Sequence, residues 1–147
     1  MAGDDGVAHV VLERLRTRLG GRCLAVELLS VSEPSQLVEL LCHPGPVWIV
    51  DAVVGAGDPG TVLELSPDEL LAVAACSLSS HGLNAAQAIE LCRSLYPERV
   101  SPVLCVLAVA IETPHRYRSG LSPEVHDAAL RCVERLVRAV RGGGRNP

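Results

Sequence analysis

Two carboxylates and an imidazole stand at element boundaries along this chain. Asp5 comes just ahead of the first helical pattern, Asp51 closes an apolar run, and His81 sits in a loop before a later helix. An Asp, Asp, His set can ligate a divalent transition metal and leave coordination positions open. Each residue also has a plainer reading. Asp5, or its neighbour Asp4, could complement the positive end of the helix that begins at Val7. Asp51 could start a turn, and His81 could cap a helix. Spacing alone leaves both readings open.

Other chemistries have less support. "GAGDPG" (55–60) matches G-x-G-x-x-G and follows a strand pattern. A dinucleotide site needs a helix there to aim its N–H groups at the pyrophosphate. Pro59 and a second strand pattern stand there instead, and Asp58 would repel phosphate, so the stretch is expected to be a hairpin loop. Ser79 and Ser80 adjoin His81 without a G-x-S-x-G elbow, and adjacent residues rarely adopt nucleophile–base geometry. The six cysteines, at 23, 42, 76, 92, 105 and 132, form no C-x-x-C pair. That argues against a zinc knuckle or a thioredoxin-type motif. Several fall within apolar patterns, as small core residues do.

Every basic side chain is arginine, and the net charge is −4. A chain of that balance with two Tyr, one Trp and no Phe lacks the basic face and stacking platforms of a nucleic-acid binder. No apolar run reaches membrane-spanning length and no secretory leader is visible, so a cytoplasmic protein with reduced thiols is expected. At 147 residues the chain is expected to form one domain over 1–141, with a disordered tail at 142–147.

The elements that must position these groups follow from apolar periodicity. Val7, Val10, Val11 and Leu15 have helical spacing, and Gly20-Gly21 ends that helix. "CLAVELL" (23–29) reads as a strand, and a short helix runs from Ser32 and Pro34 through Leu41. "VWIV" (47–50) is continuously apolar and ends at Asp51, as a strand covered on both faces would. "TVLEL" (61–65) alternates, and Ser66 opens a helical turn. Residues 83–96 place Ala85, Ala88, Ile89, Cys92 and Tyr96 on one helical side, and "VLCVLAVAI" (103–111) reads as a buried strand. After a polar loop (112–120), Ser122-Pro123-Glu124 opens a last helix that turns Val125, Ala129, Cys132, Leu136 and Val140 inward. Strands alternating with helices predict an α/β three-layer sandwich, with helices on both faces of a mostly parallel or mixed sheet.

"DDGV", "VELL", "VDAVVGAGDPGTV", "SSHGLNAAQAIELCRSL" and "GLSPEV" follow one another in an order that resembles the [NiFe] hydrogenase maturation endopeptidases. The similarity extends from residue 3 to about 140. It implies a phosphorylase/hydrolase-like fold and a cytoplasmic enzyme. Such an enzyme trims a C-terminal extension from the hydrogenase large-subunit precursor once nickel is in place. The family's metal-contacting positions fall on Asp5, Asp51 and His81. Nickel would then be recognised in the substrate rather than held permanently, and cleavage would be metal-assisted hydrolysis. Loop residues His115, Arg116 and Arg118 would face the partner or simply solvent. A non-catalytic α/β protein that docks the precursor without cleaving it is the alternative.

Two departures from the family pattern stand out. "SVSEPSQ" from Ser30 replaces an Asp-Gly-Gly-Thr-like turn, and the strand and G-x-G-N loop that precede the double acid in the family are absent. Such a strand would bury four or five aliphatic side chains, about 10 kcal/mol, comparable with a domain's net stability of about 5–15 kcal/mol. The expectation is therefore that the natural chain starts upstream of Met1.

Overall fold

The computed structural model describes residues 3–20, 26–76, 80–113 and 119–142, with the backbone alone at 34, 76 and 80–84. A single 3-10 turn (Asp4–Gly6) runs directly into α1 (Val7–Leu19). Then come α2 (Pro34–Leu40), β1 (Val47–Val54), β2 (Val62–Leu65), α3 (Pro67–Cys76), α4 (Ser80–Leu95), β3 (Leu104–Ile111) and α5 (Pro123–Arg141). No helix among the described residues is long and apolar enough to cross a membrane.

β3 is the axis of the sheet. β1 pairs with it in parallel and β2 pairs antiparallel on its other side. An unbroken apolar sequence suits a strand covered on both faces, and from Cys105 to Ile111 every residue of β3 is buried. Alternation divides its side chains between two cores. Leu107, Val109 and Ile111 pack with α1 and α5, while Val106 and Ala108 pack with α2, α3 and α4. The result is the expected α/β sandwich with a mixed sheet between two helical layers.

The helices bury the faces their periodicity presents. α1 buries Val7, Val11 and Leu15, and α4 buries Ala85, Ala88, Ile89 and Cys92. α5 buries seven residues, among them Val125, Ala129, Cys132 and Leu136, while Val140 is half-buried. Tyr96 lies past the end of α4 and is exposed.

Four local expectations are corrected. Residues 26–29 of the anticipated strand 23–29 belong to no strand, and 23–25 fall outside the described residues. An alternating segment becomes a strand only with a ladder partner, and here Val26 and Leu29 stand exposed. The loop 55–60 is not a hairpin, because β3 lies between β1 and β2 and pairs with both. β1 does not end at Asp51 but continues to Val54, since Ala52 and Val53 are apolar enough to stay buried in the sheet. Finally, Ser66 opens a ten-residue helix rather than a turn. The Ser66 N–H donates to Glu69 Oε2 at 2.7 Å and the Glu69 N–H donates to Ser66 Oγ at 3.3 Å, a reciprocal capping box.

Candidate functional site

The two acids at the start of the chain have separate roles. Neither caps a helix through its side chain; they form the 3-10 turn itself, and Gly6 leads into α1. Asp4 Oδ1 accepts the Ser122 N–H at 2.6 Å, tying the chain start to the first turn of α5. Ser122 is the N-cap residue of α5, but its hydroxyl makes no capping bond. Asp5 Oδ1 is buried without a hydrogen-bond partner among the described residues. A buried carboxylate oxygen left unpaired is costly, so a native structure that keeps one calls for an explanation.

The turn carrying Asp5 packs beside β1, the strand that carries Asp51. Asp51 is the fifth of eight residues in β1 and lies opposite Ala108 in register. Its Oδ1 accepts the N–H of Ala52 at 2.9 Å, which orients the carboxylate. By strand alternation Asp51 shares its face with Ile49 and Val53, the face covered by α2, α3 and α4. His81 is the second residue of α4, and α4 packs on β1. The 3-10 turn and α4 therefore both contact β1, with α1 continuing from the turn onto one face of the sheet and α4 on the face that carries Asp51. The His81 side chain is outside the described residues, as are His115, Arg116 and Arg118. Among the described residues no three His, Cys, Asp or Glu side chains form a metal-sized group.

A shallow cleft of about 430 Å³ opens at the carboxyl ends of the parallel strands β1 and β3, lined by Val54, Gly55, Pro59, Ile111, Glu112 and Thr113. Open α/β sheets bind ligands at this end of their strands. Neither Asp5 nor Asp51 lines the cleft; Asp51 lies three residues, roughly 10 Å, below the strand end. One wall is clamped by a residue that sequence reasoning passed over. The Gly60 N–H donates to the Ala110 carbonyl at 2.8 Å, and Arg131 Nη2 donates to the Gly60 carbonyl at 2.6 Å. Gly60 has φ +84°, and a Cβ there would lie 2.6 Å from the Glu124 carbonyl oxygen. The glycine-rich spelling of 55–60 is the available signal, but by itself it suggests a hairpin loop rather than a clamp.

The fold is similar to solved structures. These include an endopeptidase from Escherichia coli, at a TM-score of 0.80 and 23% identity over 98% of this chain and 88% of that one. The hydrogenase maturating endopeptidase HybD from E. coli gives 0.75 and 21%, covering 97% and 87%. The [NiFe] hydrogenase maturation protease HybD from Thermococcus kodakarensis gives 0.70 and 19%, covering 95% and 92%. At these identities the likeness concerns the fold. No curated protein sequence matches the chain significantly. The family model described as hydrogenase maturation protease, HycI, matches residues 31–139, a span that contains Asp51 and His81. The chain belongs to the hydrogenase maturation protease family.

Proposed function

We propose that this protein is the endopeptidase that removes the C-terminal extension of a nickel-loaded [NiFe] hydrogenase large subunit, with Asp5, Asp51 and His81 as its nickel-reading residues. The observation that carries this reading is the buried Oδ1 of Asp5, without a hydrogen-bond partner among the described residues, on a turn packed against the strand of Asp51. That oxygen keeps its acceptor capacity for a group brought in from outside, while Asp51 is oriented by the Ala52 N–H.

In this reading the nickel is cargo of the precursor, and the two carboxylates and the imidazole take up its open positions. Docking through the metal sets the register of the precursor tail, bringing one peptide bond to the site. Water adds to the carbonyl carbon of that bond, the C–N bond breaks, and the released amine takes a proton. A nearby divalent cation assists by polarising the carbonyl or lowering the pKa of the attacking water.

The test is to incubate the purified chain with nickel-loaded precursor and follow the loss of the extension by mass spectrometry. Asp51→Ala and His81→Ala are expected to abolish cleavage while leaving the circular dichroism spectrum unchanged. Full activity in either variant overturns the assignment. Tight precursor binding with no product over long incubation favours the non-catalytic docking protein instead.

A further inference from the structure

Two thiols far apart in sequence meet in the layer formed by α2, α3 and α4. Cys42 follows the last turn of α2 and Cys92 lies in the fourth turn of α4, fifty positions later, with their sulfurs 3.6 Å apart. Cys42 Sγ is also positioned to donate to the Val38 carbonyl at 3.5 Å. The surroundings hold the pair in place: Leu41 and Ile89, both fully buried, belong to the same core, and α2 packs directly on α4. The two sulfurs differ in access. Cys92 is fully buried, whereas Cys42 is partly open to solvent.

We propose that Cys42 and Cys92 are an oxidisable pair, in which a small-molecule disulfide accepts two electrons from the thiols and leaves an intramolecular Cys42–Cys92 bond. The open sulfur reacts first. Cys42 loses its proton and attacks one sulfur of the reagent RSSR, forming Cys42–S–SR and expelling RS⁻, which takes up that proton. Cys92 then loses its proton and attacks Cys42 Sγ, the mixed disulfide breaks, and the second RS⁻ leaves as RSH. Two protein thiols are oxidised and one reagent disulfide is reduced to two thiols. Bond formation requires the sulfurs to close from 3.6 Å to about 2.0 Å. Burial and the hydrogen bond to Cys42 push the Cys92 thiol up to about 11. This keeps Cys92 from competing for the reagent and leaves it as the resolving group.

The bond would staple α2 to the helix that begins with Ser80 and His81. It would close a loop of about fifty residues, which restricts the unfolded chain.

The experiment treats the folded full-length chain with oxidised glutathione, blocks the remaining thiols and maps the digested peptides. The expected product is monomeric, has lost two titratable thiols, retains no glutathione on Cys42 and yields a linked Cys42–Cys92 peptide. Its urea midpoint rises, and dithiothreitol reverses the rise. Cys92→Ser should stop at a glutathione adduct on Cys42, and Cys42→Ser should leave Cys92 unmodified. A lasting glutathione adduct on Cys42 of the unaltered chain overturns the proposal. So does a digest in which Cys42 and Cys92 both remain free thiols. The mapping needs no substitution, so it holds even if a serine variant fails to fold.

Discussion

Asp4 and Asp5 are neighbours of the same chemistry, yet the fold uses them differently. Asp4 is a structural clasp through its 2.6 Å bond from the Ser122 N–H, whereas Asp5 has a buried oxygen with no described partner. Asp4→Ala is therefore expected to cost about 1–3 kcal/mol in urea unfolding, the penalty for a lost hydrogen bond to a charged group, and to leave precursor cleavage intact. Asp5→Asn should leave stability within about 1 kcal/mol, since it keeps the side chain's size and removes no hydrogen bond described for Oδ1, and should abolish cleavage. If Asp4→Ala abolishes cleavage and Asp5→Asn does not, the roles are reversed. The double acid was legible in the sequence as a place of interest. The bond to Asp4 from the Ser122 N–H was not, because that partner lies 118 residues away. The buried thiols carry a second prediction. Burial pushes Cys92, Cys105 and Cys132 each up to about 11 from a usual value of 9. Between those values the unfolded chain has given up protons that the native protein still holds. The thiols' contribution to stability should thus be constant below about pH 9 and fall as pH rises toward 11. Denaturant titrations in reductant at pH 8 and pH 10.5 check this, and equal midpoints would contradict it.

At the scale of elements, propensity and local hydrogen bonding explain more than hydrophobic pattern does. The spacing Ser66-x-x-Glu69 is a capping box, and it turns a short apolar stretch after β2 into the full helix α3. Ser66→Ala should lower stability by about 1 kcal/mol. The Ser66 N–H and hydroxyl also hold the Glu69 carboxyl below its usual range. Its share of stability is therefore present at neutral pH and lost as pH falls through that lowered value. In acid titrations the Ser66→Ala deficit should accordingly shrink. Strand β3 was legible because full burial demands an unbroken apolar run, and α5 was legible because one stripe of it is apolar. The segment 26–29 was misread, since alternation describes what a strand needs and not whether a partner is present. The loop 55–60 was misread for a related reason. Its glycines serve backbone geometry set by distant elements, with Gly60 held against Glu124 and Arg131. Gly60→Ala combines a left-handed φ with a contact no Cβ tolerates, so a loss of about 2 kcal/mol or more is expected, read as a lowered thermal midpoint.

Across the whole molecule, the α/β class could be read from the alternation of strand and helix patterns, while the strand order could not. Nothing in residues 47–65 shows that β3, forty residues further on, inserts between β1 and β2; that is a property of long-range pairing. The candidate site shares this limitation. Residue type and position at element ends singled out Asp5, Asp51 and His81, and family resemblance added what spacing could not. Their segments are linked through β1, which the 3-10 turn and α4 both contact. In the proposed reading, two carboxylates and an imidazole would leave coordination positions of a divalent metal open, which suits a metal whose other ligands belong to a second protein. This sets apart two arrangements that both end in cleavage. If nickel comes with the precursor, protease soaked in a chelator and then freed of it should cleave nickel-loaded precursor at an unchanged rate. The same protease should leave nickel-free precursor intact even when it has been supplied with nickel itself. If nickel instead resides in the protease, chelation abolishes activity, and metal returned to the protease alone restores cleavage of either form. Single-turnover assays with each partner stripped in turn separate the two, and the first pattern is the one expected if the metal is read on arriving cargo.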